Sequence, residues 1–515
     1  MEFTKYAYGG KGAARARPQV WQSPGLAHWH ELSNDTLSEV LRHLNDRQIA
    51  RLARVDRRTR RVARASIQHC LGLGESQYEV FRAVLERREN VLIMGNPGSG
   101  KSFLLKILKE RARAPLVTAS TGAASDKIGA STLHSALGLG LGTASALKIA
   151  ERVLRPKHGP ALYSPCQRCS TLIVDEVSML TAKILDLAGE VLVLLRGRLP
   201  QMVVSGDPMQ LGAVCAATEG AFYEAGMIRR LKPYVLTESF RQAEDSQFLR
   251  ILNRARLGRA RESDVDWLRT NACAEKMLGG APRLFCRLNQ VHDYNTAAID
   301  QLPAAVQAYA PVVTVQVPTV SGALGADTTR LKVGARVLLN RNLVEFPMLH
   351  NGSCGTVESL SAQSVLVRFD VGIVARIKPT TQEFEQDGKV VGTRTQLPLM
   401  LAFAVSVHRA QGATLDCMAV DLAKCFAPGQ AYVALSRVRE CAHMHLAGLH
   451  LWALNNVDKA ALRYYNECET RAAARTERHR ERERQAELLE FDLDDEALGA
   501  MMDAFEEGAV AVAVA

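Results

Sequence analysis

Residues 95–102, Gly-Asn-Pro-Gly-Ser-Gly-Lys-Ser, have the types and spacing to hold a polyphosphate. They follow the apolar run Val91-Leu92-Ile93-Met94 and lead into the helical run Phe103-Leu104-Leu105-Lys106-Ile107-Leu108. In a strand–loop–helix setting, the missing side chains of Gly95, Gly98 and Gly100 let successive backbone N–H groups converge on phosphate oxygens. Asn96, Pro97 and Ser99 complete the loop, and the helix N-terminus adds positive potential. Lys101 is placed to reach the β/γ phosphates, and the Ser102 hydroxyl to ligate magnesium. A nucleoside triphosphate and Mg2+ are therefore the expected cofactors.

Downstream, Leu172-Ile173-Val174-Asp175-Glu176 reads as a buried strand ending in two carboxylates. Asp175 can hold the magnesium, and Glu176 can polarise an attacking water. An apolar run ending in two acids is common by itself; its place after a P-loop is what makes it informative. The next strand ends in Gly206-Asp207-Pro208-Met209-Gln210-Leu211, where Gln210 can hydrogen-bond the γ-phosphate or the water. Read as a lone hexapeptide, the same stretch is an ordinary Asp-Pro turn. Ser239-Phe240-Arg241-Gln242 and Tyr432-Val433-Ala434-Leu435-Ser436-Arg437 offer two cations, Arg241 and Arg437. A guanidinium meeting the γ-phosphate would stabilise the charge of phosphoryl transfer. Spacing alone does not separate these two from the chain's other arginines.

The elements that must position these residues follow from composition and pattern. At 515 residues, 47% of them hydrophobic, the chain is long enough for more than one core. Lys plus Arg outnumber Asp plus Glu by 64 to 54, a net charge of +10, which suits a polyanionic partner. Eleven cysteines are scattered, and the one close pair, Cys166 and Cys169, lacks the second pair that a zinc site needs; reduced intracellular thiols are expected. No apolar run reaches the roughly 18 residues that span a bilayer, and no apolar signal core opens the chain, so neither a membrane nor secretion is expected. Between about 75 and 275, short β-rich runs (91–94, 115–120, 171–176, 201–206) alternate with helical stretches, which predicts a parallel sheet with crossover helices. A second α/β block begins near Arg283 and ends near Leu449, interrupted by a Gly-punctuated β-rich segment that reads as a small inserted barrel. After about Glu469 the chain becomes charged and poor in aromatics, which predicts a helical or disordered extension outside the cores.

Taken in order, the motifs resemble the Pif-type (petite integration frequency) DNA helicases, in the RecD-like branch of superfamily 1. The resemblance runs from Gly74 to Leu449. It comprises Gln77, NPGSGKS, TASTGAASDKIGASTLHS (118–135), IVDEVSML (173–180), GDPMQL (206–211), SFRQ (239–242), VGARVLLNRN (333–342), NGSCGTV (351–357), LAFAVSVHRAQGATLD (401–416) and GQAYVALSR (429–437). It implies an α/β fold of two tandem RecA-like P-loop domains, at 71–278 and 279–452, with a small β-barrel inserted at about 341–398. It further implies ATP in the cleft between the domains, 5′-to-3′ translocation on single-stranded DNA, and unwinding of forked duplex by a monomeric motor. Replication, repair, recombination or telomere maintenance would be its setting. Gln77 would contact the adenine, and Lys101, Ser102, Asp175, Glu176, Gln210, Arg241 and Arg437 take the roles argued above. Thr121 and His134 in the first domain, and His408 with Arg409 in the second, match positions that line the DNA path. The family usually carries a bulky aromatic where Met209 stands, a proline pair at Gly212-Ala213 and Lys-Ser at Arg409-Ala410. Met209 would still pack against a base, though more softly.

Residues 1–30 read as irregular, and 31–70 as a helical segment resembling an F-box. Leu37, Val40, Leu41 and Leu44 share one face, and Ile49, Leu52 and Val55 a second. Ser33, Asp56 and Thr59 depart from that motif. The F-box resemblance implies docking of residues 32–67 on the adaptor of a cullin ubiquitin ligase. This makes a substrate-recognition subunit the alternative to a motor. A small helical bundle whose arginine-rich end touches DNA phosphates or merely faces water fits the segment equally well. A nuclear, or else mitochondrial, address is expected, and residues 453–515 are assigned to the helical or disordered tail.

Overall fold

The computed structural model describes residues 68–140, 142–154, 165–238, 240, 246–275, 281–314, 328–341, 343, 345–346, 348–349, 351–386 and 389–489. The chain divides into two units, Met1–Gly74 and Glu75–Ala515, and both α/β cores belong to the second. The F-box-like residues 32–67, with the implied adaptor contact, lie outside the described residues.

The first sheet has six parallel strands in the order β3-β2-β4-β5-β1-β6. They are β1 (Val91–Gly95), β2 (Pro115–Ala119), β3 (Ser131–Thr132), β4 (Thr171–Asp175), β5 (Gln201–Gly206) and β6 (Lys232–Leu236). β1 and β4 are buried at every residue, as the continuous apolar runs of a sheet covered on both faces require. Helix α1 (Glu75–Leu85) precedes β1, and α2 (Lys101–Arg111) leaves the phosphate loop. Two short helices, α3 (Gly122–Lys127) and α4 (Leu133–Leu137), follow β2 and β3. This order lays the carboxyl ends of β1, β4 and β5 along one edge, where ligands bind in open α/β sheets.

Two helices end up elsewhere than the strand–helix alternation places them. α5 (Ser246–Arg256) and α6 (Glu262–Asn271) fall within the first domain as drawn from sequence. Their Phe248, Ile251, Leu252, Ala255, Val265 and Leu268 pack instead in the core of the second sheet, with Leu284, Val420 and Met444. An amphipathic stripe records that a helix covers a sheet but not which sheet it covers. The second sheet is parallel, in the order β8-β7-β9-β10, made of β7 (Arg283–Phe285), β8 (Ala404–Ser406), β9 (Met418–Asp421) and β10 (Met444–Ala447).

Between β7 and β8 lies the inserted β unit. An antiparallel sheet joins strands 336–339, 354–361, 364–369, 374–377 and 399–401. The hairpin 380–386/389–396 pairs with 312–313, and strand 307–309 with 329–331. Tyr309, Leu331, Val337, Val357, Val367, Phe369 and Leu399 share its core. The insert thus reaches from 307 to 401, wider than 341–398, because strands of two or three residues leave no alternation to read.

The C-terminal stretch is helical through Leu489, one of the two states expected of it, but its first turns, ahead of Glu469, belong to a core. α9 (Lys459–Leu489) sends Ala461, Tyr465 and Cys468 into the core of the first sheet. The spacing i, i+4, i+7 makes a narrow apolar stripe inside a highly charged helix, so composition concealed it. Cys166 and Cys169 are buried in that same core, and burial pushes the Cys166 thiol up to about 11.

Candidate active site

A cleft of about 350 Å3 opens at the carboxyl edge of the first sheet. Pro97, Gly98, Gly100, Lys101, Ser102, Glu176 and Gln210 line it from the first domain, and Arg437 lines it from the second. Residues far apart in the chain therefore meet as the motifs require.

The loop geometry explains its glycines. Gly98 and Gly100 have φ of 90° and 77°, a region in which L side chains are strained. A Cβ on Gly100 would also collide with the Gln77 amide nitrogen. Gln77 is buried and donates through Nε2 to Ser99 O at 3.1 Å, so it sits behind the loop and braces it. Asn96 does not line the cleft; its Nδ2 donates to Asn253 Oδ1 on α5. Gly95 ends β1, and Ser99 is buried within the loop.

Lys101 is buried, and its ammonium donates to Gly95 O at 2.7 Å and Asn96 O at 3.0 Å. Burial lowers its pKa, opposed by Asp207, Glu176 and Asp175. Ser102 Oγ donates to Asp175 Oδ2 at 3.0 Å, while Asp175 Oδ1 accepts the Glu176 N–H at 2.9 Å. A hydroxyl and a buried carboxylate meeting at one point are the hard oxygen donors that magnesium takes, so the residues present fit that ion.

Glu176 has φ of 52°, unusual for a residue with a Cβ. Such a conformation costs on the order of 1–3 kcal/mol and persists only where the surroundings impose it. Its Oε2 is buried without a hydrogen-bond partner, as is Oε1 of Gln210. Burial, then Asp175, raises the Glu176 pKa against Lys101 and Arg437. Two unsatisfied acceptors beside a phosphate loop are suited to a bound water or a ligand.

Arg437 is 2% exposed. It donates to Val433 O at 2.6 Å, Ala413 O at 3.2 Å and Ser436 Oγ at 2.6 Å. These bonds fix a guanidinium at the cleft wall opposite the loop. The other proposed cation, Arg241, lies outside the described residues.

Several residues to which the motifs assign no role join the two domains beside the cleft. Asp207 is fully buried and accepts from Arg256 at 2.8 and 3.2 Å and from the Tyr432 hydroxyl at 3.2 Å. Arg256 belongs to α5, and Tyr432 to α8 (Gln430–Leu435), both in the second core, so Asp207 ties the two domains together. The Arg256 guanidinium also lies 4.1 Å from the centroid of the Tyr465 ring on α9. Gln411 bridges the domains again, donating to Ser178 Oγ at 3.2 Å and Leu211 O at 3.4 Å. Gly429, with φ of 74°, lets the two backbones close up: a Cβ there would lie 2.6 Å from Met209 O. Phe103, Lys127, Phe240, Gly412, Thr414 and Arg439 complete the lining.

The four residues assigned to a nucleic-acid path do not line this cleft. Thr121 precedes α3 and His134 lies on α4, while His408 and Arg409 lie on α7 (Val407–Ala410). Each follows the carboxyl end of a parallel strand, respectively β2, β3 and β8. Burial lowers the pKa of both histidines, which favours neutral rings. Met209 does not face this path; it is 3% exposed and packed in the first core.

Residues 72–275 match the family described as an AAA domain. The zebrafish (Danio rerio) ATP-dependent DNA helicase PIF1 is 35% identical over 385 residues, covering 71% of this chain and 60% of the relative. The chain thus spans about 60% of that relative's length. A Bacteroides Pif1 helicase crystallised with ADP-AlF3 and single-stranded DNA superposes with a TM-score of 0.66 at 25% identity, over 77% of this chain and 97% of that one. A Pif1 structure described as unwinding forked double-stranded DNA by two coordinating helicases gives 0.68 at 26% identity, covering 77% and 97%. With its P-loop, Glu176 and a second-domain arginine in one cleft between two RecA-like domains, the chain is similar in sequence and in fold to the Pif1-type DNA helicases.

Proposed function

We propose that this chain is an ATP-driven motor that translocates 5′ to 3′ on single-stranded DNA and unwinds duplex, forks included. The observation that carries the reading is that Arg437 of the second domain shares a cleft with Lys101, Glu176 and Gln210 of the first. A γ-phosphate held there would be gripped from both domains, so its arrival and its loss change their separation. Glu176 takes the proton side of the chemistry, polarising the attacking water, and Gln210 holds that water or the phosphate oxygen. Ser102 and Asp175 would hold magnesium, which when bound neutralises developing charge on the phosphates. The single-stranded DNA held by the Bacteroides relative and the net charge of +10 support a DNA track. The family resemblance supports a setting in replication, repair, recombination or telomere maintenance.

ATP hydrolysis and strand separation with magnesium test this. Single-stranded DNA should stimulate hydrolysis, and a 5′-tailed duplex should be unwound while a 3′-tailed one is left intact. Unwinding from the 3′ tail alone would overturn the polarity, and no DNA-dependent turnover would overturn the motor.

Glu176→Gln should lower kcat for ATP by about 10^2–10^4-fold while ATP still binds. Because the Glu176 pKa is raised, the working carboxylate forms only at higher pH than usual. The rate should therefore climb with pH through a limb lying above about 4.3, the ordinary glutamate value. A pH–rate profile with no such limb, or full turnover by Glu176→Gln, would remove Glu176 from this role.

A further inference from the structure

β8, β7 and β9 are neighbours in the second sheet, and their carboxyl ends carry a cluster that the nucleotide cleft does not use. Arg287 follows β7, His408 follows β8, and Phe426 lies in the loop after β9. The Phe426 and His408 rings stack with centroids 6.3 Å apart and 29° between their planes. The Arg287 guanidinium sits 5.0 Å from the Phe426 centroid.

Phe426 is 52% exposed, so its ring contributes little to the core. Its loop is nonetheless firmly anchored. Gln430, fully buried, accepts the Phe426 N–H at 3.0 Å and the Ala427 N–H at 3.4 Å through Oε1. Its Nε2 donates to Cys286 O at 3.0 Å, one residue before Arg287. A single buried amide thus ties the segment bearing the ring to the segment bearing the guanidinium. Beneath them the Cys286 and Cys425 sulfurs pack 3.2 Å apart. An exposed aromatic on a rigid support can receive a planar ligand with little further loss of conformational entropy.

We propose that Phe426, backed by His408 and Arg287, is a stacking platform for an unpaired base of the DNA strand. The inference rests on the DNA-motor reading above. Every base has a π face, so such a platform grips a strand without reading its sequence, as a translocating motor needs. Arg287 adds a cation that can lie over a base or meet the neighbouring phosphate. Half-burial leaves His408 a mainly neutral ring, suited to stacking rather than to pairing with phosphate. The carboxyl ends of parallel strands are also where α/β sheets present ligand sites.

Anisotropy titrations with labelled oligothymidylate, and with an abasic strand of equal length, test the platform in the full chain. Wild type should prefer the strand that has bases. Phe426→Ala should weaken oligothymidylate binding by about 5- to 150-fold, with little change for the abasic strand. Phe426→Trp should restore binding, and oligothymidylate should change its emission beyond the change seen in wild type. Unaltered oligothymidylate affinity in Phe426→Ala, or equal losses on both strands, would overturn the platform while the motor reading stands. Failure of wild type to bind either strand would overturn both.

Discussion

Arg437→Ala is expected to lower kcat for ATP by about 10^3-fold or more, the range associated with removing an arginine that meets the transferring phosphoryl group. The guanidinium stands across the cleft from Lys101, and three hydrogen bonds to Val433, Ala413 and Ser436 hold it there. It needs no rearrangement when charge develops on the γ-phosphate, which is the condition under which electrostatic stabilisation is largest. ATP binding should fall much less, because the P-loop, Lys101 and Ser102 all belong to the first domain. Single-turnover hydrolysis beside equilibrium binding of a fluorescent ATP analogue separates the two effects. Arg437→Lys should recover only part of the rate, since an ammonium has no planar fork with which to keep those three bonds and face the phosphate together. Parallel losses of binding and rate, with a lowered melting temperature, would instead mark Arg437 as a structural residue.

The second large effect concerns stability. Arg256→Met should destabilise the protein by about 3–5 kcal/mol, the usual consequence of removing one member of a buried ion pair. Arg256 is 3% exposed and Asp207 fully buried, so losing the guanidinium leaves a buried carboxylate with the Tyr432 hydroxyl and the Met209 N–H as donors and Lys101 as the remaining nearby cation. Burial alone would push the Asp207 pKa up, but Arg256 holds it below the ordinary value, so the pair is ionised at neutral pH. With the folded pKa depressed, the stabilisation is present above the unfolded value of about 3.9 and is lost as pH falls through the lower folded value. Urea denaturation near pH 7 should show the full deficit of Arg256→Met, and the deficit should shrink toward strongly acidic pH. Adding Asp207→Asn should return part of the loss, because a neutral amide costs less to bury. A deficit under about 1 kcal/mol would mean that water reaches the site and screens the pair.

These two arginines differ in how far the sequence discloses them. Arg437 lies in GQAYVALSR, a motif that can be matched, yet its facing Lys101 across a cleft is a fact of packing. Arg256 lies in no such motif and is one of 64 Lys and Arg residues; only the folded chain brings it to Asp207. Gln411 lies inside LAFAVSVHRAQGATLD, but nothing in that stretch discloses its bridging role, because its partners Ser178 and Leu211 lie in other segments. Met209, which the resemblance would set against a base, is packed in the first core, where its apolar, flexible side chain fills space.

What the sequence by itself determined is the local chemistry. Eight consecutive residues, 95–102, carry the backbone freedom, the cation and the hydroxyl that a phosphate site needs. An apolar strand ending in Asp175 and Glu176 supplies the carboxylates by the same short-range logic. Tertiary structure alone decided which surfaces close over that chemistry. It gave α5 and α6 to the second core, returned α9 to the first, and joined Asp207 to Arg256 and Tyr432 across the domains. Periodicity states that a face must be buried, but its partner is chosen by the competition among all apolar faces of the chain. The phosphate loop is therefore legible from its own residues, whereas the cleft that it shares with Arg437 exists only once both cores have formed.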